Sequence, residues 1–409
     1  TSVSPHFAGM LAANPQLAVD LPDPEIEFSE PDYAAEIMEA VEPTRDFGRR
    51  LSAMRRIWAR LLLDIVVRDI FEKITISEAK RLQTKLAEAS IAAALNVVRD
   101  ELAVRTRVDN REASLDLAVL ALGKLGGRGL DYDSDLDLVI VYFDPKKSVG
   151  DVTPAEFYSR AVELFTTVLS SMTRDGNLYR VDLRLRPFGS KGMSAISIDS
   201  FLAYMDENAA IWEMLAFVKL RHVGGDPSLG FNIEKENRRI IHERAAVLDN
   251  DEIKQETYRI RLALEQQRSG PRRGSEIDIK YGSGGTLDIY FAMRYLQLRD
   301  NVPDDIDDRS TAFMLKKLRA GGALKPKLYN ELAAGYEFLS ALDHNLRLTV
   351  GRTTRVPVAN ETALKTIAAR MGLADTAELL EHLTIHRLNI RSAFDSILSD
   401  VNSAGSVML

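Results

Sequence analysis

The chain has no cysteine, two tryptophans and six histidines among its 409 residues. The first absence excludes disulfides and thiolate metal sites, and it fits a reducing cytoplasm. No uncharged apolar run reaches the roughly 18 residues that suggest a membrane-spanning helix, so no membrane partner is expected. The opening "TSVSPHFAGM" has no basic segment leading into an apolar one, and no secretory signal is read there. Positive charge is not in excess either: 53 Lys and Arg stand against 60 Asp and Glu, a formal net charge of −7. That balance argues against broad nucleic-acid binding and leaves room only for a local basic groove. What is present is ordinary for folded domains, 45% apolar and 28% charged residues, at a length that suggests two or three domains.

Residues 1–110 read as helical. Ser4 is an N-cap candidate with Pro5 at the first helical position. After a Pro- and Glu-rich stretch over 21–44, "DFGRRLSAMRRIWARLLLDIVVRDIFEKI" carries apolar residues at helical spacing, and Ser77 opens a second long amphipathic helix. The pattern changes at Ser114. "LDLAVLAL" and "DLDLVIVYF" read as buried strands separated by the glycine turn "GKLGG". A helix over 153–172 follows, with Thr153 as N-cap, Pro154 first and Glu156 completing a capping box. Asp175-Gly176 marks a turn, and "NLYRVDLRLRP" alternates as a third strand. From about 228 to 402 the chain is helical again, interrupted by "SGPRRGSEIDIKYGSGG". The expected fold is α+β and predominantly helical: a small mixed sheet within 111–226, flanked by N-terminal helices (1–110) and a C-terminal helical bundle (227–409).

Side chains alternate along a strand, so Asp135 and Asp137 share one face, and on the third strand Asp182, Arg184 and Arg186 share another. If the two strands are neighbours, three carboxylates converge with two guanidiniums beside them. Crowded like charges are unfavourable unless something positive neutralises them, and hard oxygen donors at this spacing suit Mg²⁺. Gly126 and Gly127 precede the acids in a turn where backbone can approach a phosphate closely. A glycine turn, Asp-x-Asp on a strand and a third Asp on a later strand form the layout of metal-dependent nucleotidyl transfer, with two metal ions clamping an in-line displacement. Asp182 could also act as general base, and Arg184 and Arg186 could grip a triphosphate. Ser134 and Lys124 complete the candidate cofactor-binding set. Other motifs fail on spacing. An EF-hand from Asp131 would need Gly and Glu where Leu136 and Tyr142 stand, and "GKLGG" is neither a P-loop nor a dinucleotide fingerprint. Trp212 and Glu213 read as packing and helix-surface residues. "KYGSGGTLDIYF" reads equally as a flexible loop or as an anion site at a helix N-terminus. His222, His344 and His386 lack ligand spacing.

"GKLGGRGLDYDSDLDLVIVYFD", "DGNLYRVDLRLRPFGSKGM", "WEMLAFVKLRHVGGD" and "DIKYGSGGTLDIYFAMRYLQLRD" resemble, in order, blocks of the glutamine synthetase adenylyltransferase (glutamate–ammonia-ligase adenylyltransferase) family, and the resemblance spans nearly the whole chain. It implies a nucleotidyltransferase sheet of polymerase-beta-like type, ATP as substrate and glutamine synthetase as target. It further implies regulation by glutamine and the PII signalling protein. Family members carry two homologous halves, one attaching AMP to a tyrosine of the synthetase and one removing it by phosphorolysis. "DYDSDLDL" and "RPFGSKGMSAIS" look more like the adenylylating, C-terminal half. The resemblance puts the metal aspartates at Asp135, Asp137 and Asp182 and the glycine turn at Gly126 and Gly127. One departure stands out: where the family usually reads Asp-Ile-Glu-Phe, this chain has Asp288-Ile289-Tyr290-Phe291. Tyr290 keeps open a non-catalytic module that binds nucleotide or partner.

Overall fold

Side-chain caps set where the helices of the first unit begin. Ser4 accepts from the Phe7 N–H at the start of α1 (Pro5–Ala13), Asp32 caps α2 (Tyr33–Val41) and Asp46 caps α3 (Phe47–Ile70). Helix α4 (Ile76–Thr106) opens one residue before its expected start at Ser77, because the Thr75 hydroxyl, not Ser77, takes the free Glu78 N–H. The computed structural model describes residues 4–19, 21–23, 25–107, 115–144, 152–189, 192–268 and 276–398. The expected boundary at 110/111, the change at Ser114, Ser190–Lys191 of "RPFGSKGM" and residues 269–275 lie outside the described residues. Contacts divide the chain into two units, Thr1–Ala209 with Ala216–Ile240, and Ala210–Leu215 with Ile241–Leu409.

In the first unit α2, α3 and α4 pack on one another, and α4 also packs on the sheet at β5 (Arg221–Gly225) and on α6 (Pro154–Ser170). Leu82, Leu86, Ile91 and Val98 of α4 are fully buried, each stabilising by about 1.5–3 kcal/mol. Helix α6 starts with the expected box, Thr153 and Glu156 each satisfying the other's N–H. Between α4 and α6 lie β1 (Leu117–Ala121), the short α5 (Gly123–Gly126) and β2 (Leu136–Tyr142). Strands β1 and β2 run antiparallel with Val119 opposite Ile140, and β1 pairs β5 antiparallel on its other side. The far edge of β2 takes two short parallel partners, β3 (Val181–Asp182) and β4 (Ile196–Ser197), before α7 (Ile198–Glu207). The fully buried Arg55 fixes the turn before β3, donating to the carbonyls of Leu51, Val168, Ser171 and Gly176.

The third strand is far shorter than the alternation of "NLYRVDLRLRP" predicts. Its ladder stops at Asp182 because that carboxylate takes the Arg184 N–H (2.9 Å). A local turn of this kind competes with sheet pairing for the same donor.

Helices α8 (Ile211–Phe217) and α9 (Pro227–Val247) span the division, and α10 (Asn250–Arg268), α11 (Thr286–Arg299), α12 (Thr311–Ala320), α13 (Pro326–Thr349), α14 (Glu361–Arg370) and α15 (Thr376–Leu398) build the second unit. A two-stranded ribbon, β6 (Ile277–Asp278) with β7 (Arg355–Val356), holds the loop ahead of α11. Leu339, Leu342, Leu346, Ile390 and Phe394 are fully buried in this bundle. The expected class is observed: a mainly helical α+β chain with a small mixed sheet in its first unit.

Candidate active site

Along β2 every position is buried except Asp137, which is half-buried. Its register partner on β3 is Asp182. Residues opposite each other in a parallel pair project to the same face, so adjacency of the two strands brings these two carboxylates together. Asp135 stands just before β2, and its Oδ1 lies 3.4 Å from Arg180 Nε. Asp182 receives the Arg184 guanidinium, Nε and Nη2 reaching its oxygens at 3.0 and 2.5 Å. The Arg184 hydrogen bond holds the Asp182 carboxyl below the usual carboxylate range against partial desolvation. In turn Arg184 is pushed up by Asp182 first, and then by the charges of Asp137 and Asp135. All three acids thus act on one guanidinium, and arginines supply the positive charge that such a cluster needs.

The remaining candidates divide. Arg186 is turned into its own loop, donating to Leu183 O at 2.6 Å and to Gly192 O at 3.0 and 3.2 Å. The Gly126 N–H goes to Leu122 O and the Gly127 N–H to Gly123 O, while Arg221 donates to the carbonyls of Leu125 and Gly126. The glycine that meets the acids is Gly123, at φ 57°: a Cβ there would lie 2.0 Å from Asp137 Oδ2. Leu122 N donates to Asp137 O, tying this turn to β2. Lys124 sits in α5, its carbonyl accepting from Gly129 N. The Ser134 Oγ accepts from Asp131 N, closing the turn that leads into Asp135.

Sequence reasoning missed Gly123 and Arg180. Arg180 has the same alternation parity as Asp182, Arg184 and Arg186, so the signal was there to find. Gly123 had only its place at the end of a buried strand.

Oxygen donors from Asp135, Asp137 and Asp182 suit Mg²⁺ in chemical type, and strand register pairs Asp137 with Asp182. Among the described residues no three His, Cys, Asp or Glu side chains already stand as a ligand set. The fit requires Arg180 and Arg184 to give way.

The second glycine turn has a different content. Gly284, at φ 71°, presses against the Arg387 backbone, and its N–H donates to Asp288 at 2.7 Å. Asp288 and Arg261 are both fully buried and pair at 2.5 Å. Burial pushes the Asp288 carboxyl up, against the pull of Arg261, the Gly284 N–H and Arg391. The anion at this helix N-terminus is the protein's own. Tyr290 donates to Leu215 O at 3.0 Å, with the Arg294 guanidinium over its ring. Glu213, read as a surface residue, is buried and accepts from Ala210 N.

A glycine turn and an Asp-x-Asp strand facing a third aspartate, in a small mixed sheet wrapped by helices, define a nucleotidyltransferase-type fold. The sequence profile of glutamate-ammonia ligase adenylyltransferases matches residues 1–236, and that of GlnD PII-uridylyltransferases matches 256–398. Bifunctional glutamine synthetase adenylyltransferase/adenylyl-removing enzymes are similar across most of the chain. That of Pseudomonas syringae pv. tomato is 30% identical over 98% of this chain and 41% of its own length. The Pseudomonas aeruginosa enzyme is 31% identical over 87% and 36%, and the Methylococcus capsulatus enzyme 29% over 90% and 39%. The chain belongs to the glutamate-ammonia ligase adenylyltransferase family, and it spans about two fifths of the length of these relatives.

Proposed function

We propose that this chain transfers AMP from ATP to a tyrosine of a glutamine synthetase. The observation that supports this most is the pairing of Asp137 with Asp182 on adjacent parallel strands, with Arg184 in the field of both and of Asp135. Asp135, Asp137 and Asp182 would hold Mg²⁺, which when bound neutralises phosphate charge. Arg184 leaves Asp182 and turns its fork to the triphosphate, a geometry suited to phosphate oxygens. The tyrosine oxygen attacks the α-phosphorus, the bond to the bridging oxygen breaks, and pyrophosphate leaves. While Arg184 holds it, Asp182 is a poor proton acceptor; once released it can take the tyrosine proton. Gly123 keeps the Asp137 carboxylate seated against the turn. Positioning and charge neutralisation supply most of the rate.

The relatives' names join both directions of the chemistry, and this chain covers about two fifths of them. That supports a second reading, phosphorolytic removal of AMP with release of ADP. The match of residues 256–398 to PII-uridylyltransferases favours the second unit as the part that meets PII, with glutamine as an effector and the cytoplasm as the setting. Incubation with α-phosphate-labelled ATP and glutamine synthetase should label the synthetase, and the Asp135→Ala, Asp137→Ala double variant should not. Full labelling by that variant rejects the site. ADP formed from AMP-modified synthetase and phosphate, without added ATP, assigns the removing direction instead.

A further inference from the structure

Strand β2 pairs with β3 at Leu136–Asp137 and with β4 at Val141–Tyr142, so residues 183–189 leave its edge beside Asp137, and residues 192–195 lead back to it further along. This excursion holds an unfavourable conformation. Phe188 has φ 63°, a left-handed backbone that bulky side chains rarely adopt. The residue is 63% exposed, and its ring makes an edge-to-face contact with the buried Tyr204 at 4.7 Å. The loop is braced to keep it there. Arg186 clamps the carbonyls of Leu183 and Gly192, and Gly189 N donates to Arg186 O at 2.8 Å. Strain persists only where surrounding structure over-determines it, and it concentrates at ligand clamps. Here the over-determination maintains a large apolar ring in water, on the chain segment that emerges from Asp182.

We propose that Phe188 is a substrate-contact residue, the platform on which the adenine of ATP stacks, with Arg186 as the positioning residue that holds the platform out. This rests on the nucleotidyl-transfer reading above. The loop begins at Asp182 and Arg184, the groups assigned to cation and phosphates, so the base attached to those phosphates is the planar partner nearest in chemistry. An exposed aromatic ring gains by stacking on a base, and the gain is lost with the ring.

Calorimetric binding of Mg-ATP and of Mg-tripolyphosphate, which has the phosphates without a base, tests this on the full chain. Phe188→Gly removes the ring and suits the left-handed backbone, so its Tm is expected to hold or rise. Its Kd for ATP should weaken about tenfold or more and its Kd for tripolyphosphate should not change. Phe188→Trp should keep ATP affinity within about threefold. Equal ATP affinity in Phe188→Gly overturns the proposal, including the case where only labelling of the synthetase falls, which would assign the ring to protein docking. Parallel loss of ATP and tripolyphosphate overturns it too, as a loop effect on the phosphates. Failure of the wild-type chain to bind either ligand rejects the nucleotidyl-transfer reading itself.

Discussion

Two glycine-rich turns in this chain lead to aspartates, and the two regions use them in opposite ways. "GKLGG" leads to Asp135 and Asp137, whose arginine neighbours are open to water: the side chains of Arg180 and Arg184 are 52% and 78% exposed. "YGSGG" leads to Asp288, whose partner Arg261 is fully buried with it. The residue types are the same. What separates the regions is whether the counter-ion can leave. An exposed guanidinium is worth at most about 1 kcal/mol to its partner and yields to a better cation. A buried one cannot go without leaving a charge stranded in a poor solvent. The first arrangement suits an exchangeable site, and the second fixes a helix start.

The sharpest way to break this contrast is to remove a counter-ion from the buried region. Arg261→Met should destabilise the chain by about 3–5 kcal/mol, read as a fall in the denaturation midpoint, because the buried Asp288 would lose its closest counter-ion and keep only the more distant Arg391 at 3.7 Å. A loss under about 1 kcal/mol would make Asp288 as replaceable as the first site's acids. Next in size is Asp137→Asn. AMP transfer should fall by two to three orders of magnitude, about 3–4 kcal/mol in the barrier, with the denaturation midpoint unmoved. A large stability loss in that variant would make Asp137 structural.

Much of this was legible in the sequence where the cause is local. The capping box at Thr153 and Glu156 and the apolar runs of β1 and β2 formed as read, because each depends on residues a few positions apart. Adjacency of the Asp135–Asp137 and Asp182 segments was conditional in the sequence, and only the β2–β3 register supplied it. The early end of β3 was hidden: alternation continues through Arg186, but the Asp182 side chain competes for the donor that the ladder needs. Alternation parity groups Arg186 with Arg184, but parity means nothing once the strand has ended. Gly123 could not be chosen over Gly126 and Gly127 without knowing which backbone meets the Asp137 carboxylate. The Asp288 anion was likewise invisible, since two open readings of the loop are separated only by Arg261, which comes from α10.

A finer test addresses the exposed counter-ions one at a time. Arg180 balances Asp135 in the structure as it stands, so it competes with any cation that the acids would bind. Arg180→Gln should strengthen Mg²⁺ binding about 1.4- to fivefold, corresponding to the roughly 0.2–1 kcal/mol of an exposed pair, seen as a lower Mg²⁺ concentration for half-maximal AMP transfer. Weaker Mg²⁺ binding in the variant would mean that Arg180 organises the acids and does not compete with the cation.

The smallest effect lies in the second unit, where a titrating group has burial but, among the described residues, no buried counter-ion of the Arg261 kind. The His386 ring stacks on Phe338 at 4.6 Å, with His382 one turn away. Burial, and then the His382 charge, push its imidazole below the usual value of 6.5. A histidine lowered on folding is neutral in both states at high pH. As pH falls through 6.5 the unfolded chain takes the proton first, so stability is full above that pH and declines below it until the folded group also titrates. The expected loss between pH 7.5 and 5.5 from this residue is below about 1 kcal/mol, given its partial exposure. Thermal midpoints of the wild type and of His386→Gln at the two pH values measure it, the variant losing less. Equal slopes would mean that the stacked ring accepts its proton as readily in the fold as in water, and that partial burial without a counter-ion has no cost in this bundle.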